Sequence, residues 1–256
     1  MSNNPAQTGE TVIALQDVEK SFENDARVLR GVSFTVSRGE SFALIGGSGV
    51  GKSVVIKCIL GLIRHDRGVI RVCGNEPSPV SLAGGARIGM LFQGGALFDS
   101  MTVMQNVAFQ HLRGPDRLPA ADARELAAQK LQRVGLQPDV LDLYPSQLSG
   151  GMQKRAGLAR AIATDPDILF FDEPTTGLDP VRAARINELI CGIVAEDRST
   201  AVTITHDMSS VRTIASRVAL LHEGVIEWSG SSEDLDCDQN PCLRQFLSGS
   251  ARGPLS

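Results

Sequence analysis

The plainest chemistry in this chain lies in Gly46-Gly47-Ser48-Gly49-Val50-Gly51-Lys52-Ser53, which fits G-x-x-x-x-G-K-[ST] at every fixed position. Glycines let the backbone turn tightly, so that successive N–H groups point at phosphate oxygens. A helix opening at Lys52 adds a dipole that favours anionic charge. Lys52 places an ammonium on the outer phosphates, and the Ser53 hydroxyl is a ligand for Mg²⁺. Downstream, Ile168-Leu169-Phe170-Phe171-Asp172-Glu173 reads as a buried strand delivering two carboxylates at its C-terminal end. Ligands of open α/β sheets bind at that edge. There Asp172 can hold Mg²⁺ through water beside Ser53, and Glu173 can take a proton from an attacking water or orient it.

Leu148-Ser149-Gly150-Gly151-Met152-Gln153-Lys154-Arg155 forms a second phosphate-binding device. It sits where a loop enters a helix. Its glycines permit close backbone approach, Ser149 supplies a hydroxyl and the helix supplies positive dipole. An N-capped helix of ordinary function would also explain the serine and glycines. One nucleotide does not readily need both devices from one chain. A dimer in which each serine–glycine–glycine tip caps the nucleotide on the other subunit resolves this.

These residues need a sheet to position them, and the pattern predicts one. Val12–Leu15, Val32–Val36, Ser41–Ile45, Val69–Cys73 and Arg87–Phe92 read as strands, as do Ile168–Phe171, Thr200–Thr205 and Val218–Leu221. Short β-branched runs alternating with helical stretches such as Lys52–Ile63 and Val181–Glu196 imply strands buried on both faces. Ala123, Ala127, Leu131 and Val134 fall on one helical face, and residues 94–162 read as a helical insertion. The expected organisation is one unit over residues 11–250. Its core is 11–93 and 163–230, with a flexible terminus at 1–10 and a polar tail at 231–256 carrying one helix near Pro241–Leu247.

Composition supports this and narrows the class. At 256 residues and 42% hydrophobic, the chain can bury a sizeable core, which excludes a disordered chain or a disulfide miniprotein. Its net charge of −4 offers no global positive field for nucleic acid. No apolar stretch reaches the roughly 18 residues that would span a membrane, and the first residues do not read as a secretory signal. The cysteines (Cys58, Cys73, Cys191, Cys237 and Cys242) have no zinc-type spacing and fit reduced thiols in cytoplasm.

The ordered motifs resemble the ATP-binding subunits of ABC transporters over about residues 11–230. Besides the phosphate loop, the signature and the acidic strand end, Gln93 in Leu91-Phe92-Gln93 is similar to the Q-loop, and His206 in Thr203-Ile204-Thr205-His206 to the switch histidine. The resemblance implies an α/β fold of P-loop NTPase type. That fold has a RecA-like, mainly parallel sheet, an antiparallel β subdomain and an inserted helical subdomain. It also implies ATP and Mg²⁺ as cofactors. Gln93 would touch the metal or the water, while Ser149 and Gly151 would reach the γ-phosphate across a homodimer. Asp179 would cross the interface, and His206 would hold the γ-phosphate. Phe22 would stack on adenine, or else pack as an ordinary core phenylalanine. Thr176-Gly177 departs from the serine–alanine pair that many cassettes carry.

Gly89–Val107, the Met152 and Lys154-Arg155 variant of the signature, and Arg244-Gln245-Phe246-Leu247 are similar to the ATPases of Mce-type phospholipid transporters. That likeness implies integral membrane permease subunits, a lipid-binding Mce-type protein and a peripheral place on the cytoplasmic face of the inner membrane. Other transport substrates remain open, as does a soluble ABC ATPase acting on DNA or ribosomes.

Overall fold

A computed structural model describes residues 9–22, 26–77 and 86–255. In chain order the elements begin with β1 (Thr11–Phe22), β2 (Ala26–Ser37), β3 (Ser41–Ile45), α1 (Lys52–Ile59), β4 (Arg67–Val72) and β5 (Ile88–Leu91). Helices α2 (Val103–Val107), α3 (Ala120–Arg133) and α4 (Gly150–Ala161) precede β6 (Ile168–Asp172) and α5 (Pro180–Asp197). The chain continues through β7 (Thr200–Ile204), α6 (Met208–Ile214), β8 (Arg217–His222), β9 (Val225–Ser231) and α7 (Pro241–Ser248).

The strands form two sheets. One is antiparallel in the order β2-β1-β4; the other runs β5-β6-β7-β3-β8-β9 and is parallel except for β9. This is the expected α/β class, with a mainly parallel sheet beside an antiparallel one. The central positions of the parallel strands are almost all apolar because both faces are covered. Within β6, Ile168 and Phe170 face the antiparallel sheet and α1, whereas Leu169 and Phe171 face α2–α5. Strand β3 likewise sends Phe42 and Leu44 one way and Ala43 and Ile45 toward α6 and α7. Phe34 of β2 stacks on Phe42 at 5.0 Å between ring centroids, joining the two sheets.

Two features depart from the expected pattern. Helix α1 stops at Ile59 instead of Ile63. Gly61 takes φ +67° and Leu62 N donates back to Lys57 O at 2.9 Å, the left-handed termination that glycine permits. Strand β9 is not predicted by the hydrophobic pattern, although Glu223 and Gly224 both take positive φ between β8 and β9, the signature of a tight hairpin. The polar tail carries the expected helix, α7, and packs onto the sheet: Leu235 and Leu243 are buried against β3 and β8, and Trp228 Nε1 donates to Asp238 at 2.7 Å.

Residues 1–8 of the expected flexible terminus lie outside the described residues. Glu10, by contrast, is held by Arg38, whose backbone N and side-chain Nε each reach it at 2.8 Å. Among the described residues no helix is long and apolar enough to cross a membrane.

Candidate active site

Parallel register gathers the candidate residues at one sheet edge. Ile204 of β7 is opposite Leu44 of β3 on one side and Asp172 of β6 on the other. Leu91 of β5 is opposite Phe171. The segments that leave these strands therefore begin at one level, and they carry Gly46–Ser53, Gln93, Asp172-Glu173 and His206.

The phosphate loop connects β3 to α1. Gly46, Gly49 and Gly51 take φ of +152°, +80° and +105°. A Cβ at Gly46 would overlap Leu221 O, and one at Gly51 would lie 2.9 Å from Val28. The loop is therefore closed to larger residues by its own path and by β2. Lys52 is buried, and its Nζ donates to Gly46 O and Gly47 O at 2.7 Å each. Burial pulls its ammonium below the ordinary lysine value, against the nearby Glu173 and Asp172 charges. Val28 packs beside Gly51, so the end of the β1–β2 ladder next to the loop is the one bearing Phe22. That ring is exposed, with Lys20 Nζ 5.4 Å from its centroid.

Asp172 is half-buried. Burial raises its carboxyl above the usual carboxylate range, the Glu173 charge adds to this, and Lys52 and Lys57 oppose it. Glu173 turns out of the strand at φ +50° while its N still donates to Ile204 O at 2.9 Å. A non-glycine residue in this region carries strain of order 1 kcal/mol. The turn aims a side chain that is only 14% exposed at two partners: His206 Nδ1 lies 2.9 Å from Oε1, and Thr176 Oγ1 donates to Oε2 at 2.9 Å. Gln93, just beyond β5, is exposed.

Behind the edge, Asp207 caps α6 and accepts from Ser210 Oγ at 2.6 Å. Ser210 also meets Thr175 Oγ1 at 3.0 Å and Asn187 Nδ2 at 2.9 Å. This buried chain of bonds ties together the loop after Glu173, the segment after His206 and α5.

The structure does not bring the signature to the phosphate loop. Ser149 caps α4, accepting from Met152 N at 3.4 Å, and both Ser149 and Gly150 are exposed. Ser149, Gly151 and Met152 line a depression shared with Leu178, Arg182 and Arg185, and no phosphate-loop residue lines it. Asp179 is likewise exposed at the cap of α5. It accepts from Arg182 N at 3.0 Å, a bond that holds its carboxyl below the usual range.

The sequence marks Lys154 only as part of the signature, not as a buried group; it is 7% exposed and donates to Pro174 O at 2.9 Å and Thr176 O at 2.5 Å. Sequence reasoning missed the Thr175–Asp207–Ser210–Asn187 chain too. Nothing in local spacing marks either, because their partners come from other elements.

Comparison with known proteins shows the family. Residues 29–176 match the family described as ABC transporter. The chain is 42% identical to the methionine import ATP-binding protein MetN of Caulobacter vibrioides, over 88% of this chain and 68% of that one. It is 38% identical to the intermembrane phospholipid transport system ATP-binding protein MlaF of Escherichia coli, over 97% and 93%. The solved dimeric post-hydrolysis structure of the ATP-binding cassette MJ0796, bound to ADP and Pi, superposes with a TM-score of 0.77 at 28% identity, covering 86% of this chain and 98% of that one. With this family match over more than half of its length and relatives of 38% and 42% identity, the chain belongs to the ABC transporter family as an ATP-binding and ATP-hydrolysing member.

Proposed function

We propose that this ATPase works as a homodimer on the cytoplasmic face of the inner membrane. There it drives an integral permease that moves phospholipids, with a lipid-binding Mce-type protein in the same complex. The observation that supports the dimer is the open position of Ser149 and Gly150 at the start of α4, apart from the phosphate loop of their own chain. A second copy would bring Ser149, Gly150, Gly151 and Asp179 to the nucleotide held by Gly46–Ser53, with Phe22 against the adenine. The relative MJ0796 is described as dimeric. The phospholipid reading rests on the likeness to MlaF across nearly all of both chains.

Residues of this chain share the work of hydrolysis. Backbone N–H groups of the loop and Lys52 hold the phosphates. Glu173, fixed by His206 and Thr176, takes the proton of the attacking water. His206 and Gln93 orient that water and sense the γ-phosphate. Catalysis is then positioning and charge stabilisation. Ser53, Gln93 and Asp172 present hydroxyl, amide and carboxylate oxygens, the hard donor set that suits Mg²⁺. Burial makes the Asp172 charge costly by itself and favours a cation beside it. When bound, Mg²⁺ would neutralise charge on the phosphate oxygens.

Replacing Glu173 by Gln should preserve ATP binding and trap a two-copy species on size exclusion with ATP. A variant that binds ATP yet stays a single copy would refute the dimer. The likeness to MetN favours a different cargo, an amino acid. Lipid profiles of a strain lacking the protein decide between them: unchanged phospholipid distribution sinks the phospholipid reading.

A further inference from the structure

Helix α4 reaches two loops of the sheet edge through two cations, the partly buried Arg160 and the buried Lys154. Arg160 near its C-terminal end donates to Ala96 O at 2.9 Å and Gly95 O at 3.1 Å, in the segment that follows Gln93. Lys154, one turn from its start, donates to Pro174 O and Thr176 O, in the segment that follows Glu173. No carboxylate lies within ion-pair distance of Lys154 among the described residues. A buried ammonium with no carboxylate in direct contact is costly, and burial pulls its value down against the nearby Glu173 charge. What it has instead is a pair of carbonyls that bracket Thr175. The Thr176 whose carbonyl Lys154 holds is also the residue whose hydroxyl holds Glu173 Oε2 at 2.9 Å.

We infer that Lys154 is a positioning residue for hydrolysis. It fixes Thr176, and Thr176 fixes the Glu173 carboxylate. Because Lys154 stands on the helix that Ser149 caps, the clamp links the signature tip to the carboxylate of the same protomer. When that tip engages a nucleotide on a second copy, any shift of α4 is carried to Glu173 by two carbonyl bonds and one hydroxyl bond. The inference rests on Glu173 being the group that takes the proton.

The test uses the full chain, measuring ATP turnover and, separately, affinity for a fluorescent ATP analogue. Lys154→Met keeps the length of the side chain and removes the ammonium. Thr176→Val removes only the hydroxyl, and Thr176→Ser restores it. Lys154→Met and Thr176→Val should each lower kcat about tenfold while analogue affinity stays within about twofold. Thr176→Ser should recover most of the turnover. The double variant Lys154→Met/Thr176→Val should be no slower than the slower single one, because both break the same chain of contacts. Should Lys154→Met fail to fold, the Thr176 pair carries the test alone. Losses that follow analogue affinity, a Thr176→Val enzyme as fast as the parent, or multiplied losses in the double variant would each overturn the inference. Glu173→Gln runs alongside: if it retains turnover, the reading of Glu173 fails; if it abolishes turnover while the Lys154 and Thr176 variants stay fast, only the clamp fails.

Discussion

His206 Nδ1 lies 2.9 Å from Glu173 Oε1, although 33 residues separate them in the chain. The contact commits Nδ1 to the carboxylate, while the side chain as a whole is 56% exposed. Replacing His206 by Ala should therefore lower kcat by about 10²-fold while leaving ATP-analogue affinity little changed. Turnover and binding assays on the one preparation check this, and a loss confined to binding would refute it.

Glycine inside a helix is usually worth replacing, since alanine gains about 1 kcal/mol in that setting. Gly157 of α4 should be the reverse. A Cβ there would lie 2.9 Å from Gly95 O and 3.0 Å from Gly95 Cα, forcing α4 away from the segment that follows Gln93. Gly157→Ala is expected to lower both the melting temperature and ATP turnover. A more stable, fully active variant would show that the two backbones do not meet.

Among the described residues, Glu40 in the link from β2 to β3 and Arg217 of β8 form the most enclosed ion pair, with side chains 6% and 13% exposed and 2.5 Å between Oε1 and Nε. Glu40 also accepts from Ser37 N at 2.7 Å. Removing the carboxylate strands a buried guanidinium, a loss of about 3 kcal/mol. Glu40→Ala should thus melt on the order of 10 °C lower, with near-normal turnover well below that temperature because neither residue touches the sheet edge that carries the phosphate loop. Thermal melts and assays in parallel test the separation.

Burial raises the Cys58 thiol from an ordinary 9.0 to about 11. The folded protein thus keeps a proton that the unfolded chain gives up, and stability falls as pH rises from 9 toward 11. Cys58→Ala should flatten that alkaline limb in denaturant titrations. At pH 8, iodoacetamide should modify the exposed Cys237 and spare Cys58, as mass spectrometry of the alkylated peptides would show.

Local chemistry was plain in the residues themselves. Gly46–Ser53 is recognisable because a phosphate loop is built from consecutive N–H groups and the φ freedom of its own glycines. Strand β3 runs over Ser41–Ile45 as expected, and β6 extends only to Asp172, because a short apolar run covered on both faces leaves few alternatives. Strand β9 escaped notice since it is an edge strand whose side chains are largely half-exposed and mixed in polarity.

What tertiary structure alone decided is how distant residues meet. The pairing of Asp172 and Leu44 with the same Ile204 sets the loops at one level. The positive φ of Glu173 then turns its carboxylate toward His206 and Thr176. Lys154 looks like any surface lysine in the chain, and becomes a clamp only because packing of α4 removes it from water and offers it two carbonyls. Such contacts depend on register and burial between elements far apart in sequence, which residue type and spacing do not encode.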